Sequence, residues 1–134
     1  MAVSTLIIED DPATRRLLTI RLERIGCEVI GAVDNTREAL DRFRALKPDL
    51  VTLDIQLPEF GGIDAAALFA TIRREDPHCE VIVISGSAFP AHHEHFMRAG
   101  ALAFVGKPID FDRLVRDLRE FFPELKPDKP PPAF

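Results

Sequence analysis

Four separated stretches of the chain carry side chains that chemistry can use. Glu9, Asp10 and Asp11 follow one short apolar run, and Asp54 closes another, LVTLD. Ser85 and Gly86 end a third, and Lys107 stands directly before Pro108. Carboxylates, a hydroxyl and an amine are the result, and an oxygen-only ligand set suits Mg²⁺ or a similar hard ion such as Mn²⁺. A carboxylate beside such an ion is fitted to phosphoryl transfer, because aspartate can take a phosphoryl group as an acyl phosphate. Lysine and cation would offset charge on the transferred oxygens, and the hydroxyl would hydrogen-bond one of them. All of this requires the four stretches to meet.

The elements that must bring them together are legible in order. Thr5 to Ile8 is a short apolar run stopped by acids, and Pro12 fits the first position of a helix capped by Asp11. That helix places Thr14, Leu18, Leu22 and Ile25 on one stripe, and Gly26 suits a left-handed C-terminal cap. Cys27 to Val33 reads as a second strand. Asn35 or Thr36 then caps a helix with Ala39, Leu40, Phe43 and Leu46 inward, ended by Lys47-Pro48. Leu50 to Asp54 is a buried strand delivering its acid to a lip broken by Pro58, Gly61 and Gly62, and Gly62-Ile63-Asp64 opens a helix with Ala65, Leu68, Phe69 and Ile72 inward. Glu80 to Ser85 is a fourth strand, nearly all apolar, as parallel strands covered on both faces are. A short, weak helix in PAHHEHFMRAG, a fifth strand at Ala101 to Val105 and a last helix capped by Asp110 follow; Leu114, Leu118 and Phe121 or Phe122 face inward.

Five strands alternating with five helices over short turns imply a parallel sheet covered on both sides. The expected fold is α/β, a flavodoxin-like doubly wound (βα)5 sandwich with strand order 2-1-3-4-5. It gathers the strand ends, and so Glu9, Asp10, Asp11, Asp54, Ser85 and Lys107, at one edge. Carboxylates a few ångströms apart repel by about 4 kcal/mol per pair at an effective dielectric near 20, so the cluster calls for a cation or for shifted protonation. From Pro123 the composition becomes PELKPDKPPPAF, read as a solvated extended tail or the start of a linker.

Composition narrows the class. The 134 residues make one domain, and Cys27 and Cys79 have no paired-ligand spacing, which fits reduced thiols in a reducing cytoplasm. The N-terminus has neither the basic flank of a signal peptide nor the length of a membrane span. A net charge of -5 with scattered bases disfavours nucleic acid. His92 and His93 do not come onto one helical face, and with no adjacent carboxylate except Glu94 the histidines His92, His93 and His95 read as an exposed surface, not a metal site. Phe89, Phe96, Phe104, Phe111, Phe121 and Phe122 read mostly as core.

Together IIEDDP, LDIQLPEFGG, VIVISGS and FVGKP, in this order and spacing, resemble the receiver domain of two-component response regulators over about residues 4–122. The resemblance implies that Asp54 accepts a phosphoryl group from a phosphohistidine of a sensor kinase or phosphotransfer protein. It implies Mg²⁺ held by Asp10, Asp54 and the backbone carbonyl of Gln56, with Glu9 helping directly or through water. Ser85, with Gly86, takes the switch position, Lys107 pairs with the phosphoryl group, and Lys107-Pro108 is a cis peptide. Phe104 matches the aromatic whose rotamer follows the site, so that the face of helix 4, strand 5 and helix 5 becomes the output toward a downstream protein. Homodimerisation on phosphorylation is left open. Glu9 stands where aspartate is more usual and Phe104 where tyrosine is, so no ring hydroxyl serves the switch. Gln56 and Ser87 line the route of hydrolytic water in that family.

Rival readings fit less well. A haloacid dehalogenase-type phosphohydrolase would need a second acid where Gln56 stands, and a flavodoxin-like nucleotide or flavin binder needs a Gly/Ser/Thr-rich first turn where Glu9, Asp10 and Asp11 would repel phosphate. The remaining alternative is a degenerate receiver that docks proteins without phosphorylation. No output domain is visible, so the chain is either a single-domain regulator or a piece of a larger one.

Overall fold

The computed structural model describes residues 2–57, 62–86 and 90–128. Pro58, Gly61, Ser87, Phe89 and residues 129–134, which the sequence reading singled out, lie outside them. The order is β1 (Val3–Ile8), α1 (Pro12–Arg24), β2 (Cys27–Val33), α2 (Thr36–Leu46), β3 (Leu50–Asp54), α3 (Ala65–Glu75), β4 (Glu80–Ser85), α4 (Pro90–Arg98), β5 (Ala103–Gly106) and α5 (Phe111–Phe121). The strands form one parallel sheet in the order β2-β1-β3-β4-β5, as expected.

Alternation along the strands divides the core. Leu6, Ile8, Val51, Leu53, Val81 and Val83 pack with Ala39, Phe43, Leu68, Phe69 and Phe96 on the α2–α3–α4 side. Val3, Ile7, Leu50, Ile82 and Ile84 pack with Leu18, Leu22, Leu114, Val115 and Leu118 on the α1–α5 side. A period of two along each strand feeds both layers, which is why β3 is buried at every position.

Asp11, Asn35, Asp64 and Asp110 each cap a helix by accepting a backbone N–H three residues on. Gly26 takes φ +100 just past α1, where a Cβ would be strained. Some expectations shift. Strand β1 begins at Val3, and β5 spans Ala103–Gly106 because Ala101 N–H closes onto Phe96 O in the turn after α4. Leu46 is exposed, since it ends α2 a turn beyond Phe43 at the left-handed Lys47. Thr14 is only half-buried and Phe121 is exposed, leaving Phe122 to face the core. Of these phenylalanines, Phe96 alone among those described is fully buried, while Phe104, Phe111 and Phe122 are half-buried. His92, His93 and His95 are exposed as read.

The segment after α5 departs most from its reading as a solvated tail. Leu125 is buried in the α1–α5 core, Lys126 N–H donates to Ile25 O at 2.7 Å, and Asp128 pairs with Arg21 at 2.6 Å and Arg24 at 2.8 Å. One leucine among prolines has no periodicity to mark it, but apolar burial beside Gly26 fixes it.

Candidate functional site

Register alone brings the candidate residues to one edge. Ile8 lies opposite Leu53, Asp54 opposite Ile84 and Ser85 opposite Gly106, so Glu9, Asp54, Ser85 and Lys107 all fall at neighbouring C-terminal strand ends. Glu9 N–H extends the ladder to Val33 O at 2.9 Å, and Lys107 N–H donates to Ser85 O at 3.0 Å. The Lys107-Pro108 peptide is cis.

The three neighbouring acids have separate duties. Glu9 is fully buried; its Oε2 accepts the Asp11 N–H at 3.0 Å, and Arg15 holds the Glu9 carbonyl at 2.9 Å. Asp10 is exposed, and Asp11 turns away to cap α1 through Thr14 N and Oγ1. Asp54 is buried, its Oδ1 accepting the Gln56 N–H at 2.8 Å and its Oδ2 facing Lys107 Nζ at 3.0 Å. The same ammonium lies 2.8 Å from Glu9 Oε1, an ion pair that is not aligned as a hydrogen bond.

Burial raises the Glu9 pKa to about 7, against the opposing pull of Lys107 and the Asp11 amide and with added repulsion from Asp54. Burial works against the charge on Lys107, yet Glu9 and Asp54 outweigh it and raise its pKa. Burial likewise raises the thiol pKa values of the free Cys27 and Cys79, the latter to about 12, which keeps both thiols protonated and inert.

Carboxylate oxygens of Glu9, Asp10 and Asp54 lie within 4.8 Å of one another. Two buried acids that share the Lys107 ammonium, with the exposed Asp10 beside them, make an electron-rich oxygen set of the kind that holds Mg²⁺ with waters completing its shell. The donor chemistry therefore fits the ion.

Two contacts have no signature in the sequence. The Gln56 side-chain oxygen accepts the Gly86 N–H at 2.8 Å, and Thr36 Oγ1 donates to Ile63 O at 2.6 Å. Both join loops distant in the chain, so no local pattern announces them. At the far side of β5, Phe104 meets His93 edge-on with centroids 5.1 Å apart and Phe96 at 6.5 Å.

A doubly wound sheet with an acidic pocket and a lysine at its C-terminal edge defines a class, and the chain belongs to the response regulator receiver domain family, which residues 5–119 match. It is thus a signal-transduction domain of two-component systems and not a conventional enzyme. Its sequence is 37% identical over 120 residues to the chemotaxis protein CheY of Thermotoga maritima, covering 90% of this chain and 98% of that one. It is 31% identical to the polar-differentiation response regulator DivK of Brucella anthropi, covering 90% and 97%. In fold it resembles the structure described as the CheX-CheY-BeF3-Mg+2 complex from Borrelia burgdorferi, with TM-score 0.81, 26% identity and 89% and 88% of the two chains covered. Among the described residues no helix is long and apolar enough to cross a membrane.

Proposed function

We propose that the chain is a phosphorylation-controlled switch in which Asp54 is the phosphoacceptor. The observation that carries this is the placement of the buried Asp54 carboxylate 3.0 Å from Lys107 Nζ within the Glu9–Asp10–Asp54 cluster. An Asp54 oxygen attacks phosphorus of a phosphohistidine on a sensor kinase or phosphotransfer protein; the O–P bond forms as the P–N bond breaks, and the freed imidazole keeps the electron pair and takes up a proton. Glu9, Asp10, Asp54 and the Gln56 carbonyl would hold Mg²⁺, which when bound supplies charge neutralisation for the phosphoryl oxygens. Lys107 stabilises the same developing charge, and Ser85, with Gly86 beside it, is the group that moves toward it.

Phe104 is then the relay. It lies between the site edge of β5 and the exposed α4, and the groove between β5 and α5, lined by Met97, Phe104, Pro108 and Arg113, opens beside it. The α4–β5–α5 face is the output surface for a protein partner. The relatives named as chemotaxis and polar-differentiation regulators support this reading.

Intact-protein mass spectrometry after incubation with acetyl phosphate, with and without Mg²⁺, tests the acceptor. Wild type should gain about 80 Da, the mass of the HPO₃ group an aspartyl phosphate carries, only with the metal, and Asp54→Asn should gain nothing. An unmodified wild type would leave a docking module that works without phosphorylation.

A further inference from the structure

Gln56 spans the mouth of the pocket. Its backbone N–H is bound to Asp54 Oδ1 at 2.8 Å, while its side-chain oxygen reaches across to the next strand end and accepts the Gly86 N–H at 2.8 Å. Gly86 is suited to this approach, because a Cβ there would stand 2.8 Å from the same Gln56 oxygen. Gly86 follows Ser85, and Ser85 is locked to β5 by Lys107 N–H, so the bond ties the turn after β4 to the loop after β3.

We infer that the Gln56 side chain is a placeholder for a phosphoryl oxygen: it occupies the Gly86 N–H and holds the Ser85–Gly86 turn in its resting place. This rests on the reading of Asp54 as phosphoacceptor. A phosphoryl group on Asp54 presents acceptors only, and acceptors cannot share space with the Gln56 oxygen, whereas they can take over the N–H it occupies. Gln56 is therefore a positioning residue whose side chain must leave before the turn can close on the phosphoryl group. The resting bond sets part of the barrier to phosphorylation, and its loss releases the turn.

The test compares wild type with Gln56→Met, which keeps length and backbone carbonyl but removes the strong acceptor, and with Gly86→Ala, whose Cβ displaces the Gln56 oxygen. In the unphosphorylated proteins, the residue 86 amide should exchange with solvent about tenfold faster in Gln56→Met, as expected for the loss of one hydrogen bond. Phosphorylation by phosphoramidate with Mg²⁺ should be about fivefold faster in both variants. An unchanged residue 86 amide in Gln56→Met, or uptake no faster than wild type in both variants, overturns the placeholder while wild-type uptake leaves Asp54 standing. Absence of uptake in wild type itself removes the acceptor reading, and the placeholder with it.

Discussion

At Glu9 two demands meet. Burial favours the neutral carboxylic acid, whereas a divalent cation needs the carboxylate, and the pKa near 7 places the balance within reach of ordinary conditions. Because this value lies above the usual 4.5, the folded state holds a proton that the unfolded state has released between about pH 4.5 and 7. Without metal, the Glu9 contribution to stability is full below 4.5 and is lost as pH rises through 7. Glu9→Gln should remove this decline from metal-free melting curves measured across that window. Metal binding selects the carboxylate, so saturating Mg²⁺ should raise the wild-type Tm by about 4 °C at pH 8 and by less at pH 6. An equal rise at both values would show that Glu9 is not ionised by the metal. Lys107 restrains the conflict in the metal-free site by facing both buried acids at once.

At the scale of elements, the site depends on strand ends that are fixed elsewhere. The four helix caps satisfy the first turns of α1, α2, α3 and α5, and α1 and α5 are further joined by the segment that follows α5. Arg21 of α1 is the hub of that joint, pairing with Asp112 and Asp128 and lying 5.1 Å from the Phe111 ring centre. Such a clasp has an energetic signature. Leu125→Ala should cost about 2 kcal/mol in urea unfolding, as removal of a buried leucine side chain near a surface does. Asp128→Ala should cost about 1 kcal/mol, with the difference shrinking in high salt. A chain ending at Phe122 that is as stable as the full chain would mean that the segment lies on the domain without supporting it.

Across the whole molecule the two core layers have different work. The α1–α5 layer is clasped at its end, while the opposite layer contains Phe69, Phe96 and Phe104 in sequence of contact, leading from α3 through α4 to the edge strand. A ring that moves at β5 therefore disturbs α4 first. Beryllofluoride with Mg²⁺, as a stand-in for the phosphoryl group, should shift amide resonances at Ser85, Gly86, α4, β5 and α5 while leaving α2 and β2 in place. If Phe104 is the relay proposed above, in Phe104→Ala the α4 shifts should fall by about half, with phosphoryl uptake within about threefold of wild type, since a relay ring would touch none of the reacting atoms. Full α4 shifts in that variant would assign the relay to another path.

What the sequence by itself determined is whatever repeats locally: alternation for strands, the four-and-three spacing of Leu18, Leu22 and Ile25 or the four-residue spacing of Leu114 and Leu118, capping acids before helices, and acids placed where apolar runs stop. From those, the strand count and the convergence of Glu9, Asp10, Asp54, Ser85 and Lys107 at one edge followed, and sheet order was narrowed to a few doubly wound arrangements, the observed 2-1-3-4-5 among them, because parallel connections permit few. Tertiary structure alone decided that Glu9 is buried and Asp10 exposed, that Leu46 and Phe121 face solvent, that Leu125 joins the core, and that Gln56 reaches Gly86. The reason is one of range. A local pattern specifies the element and the face a residue occupies, whereas these outcomes depend on which distant segment lies opposite and how far each helix overhangs the sheet, and only the packed chain sets that.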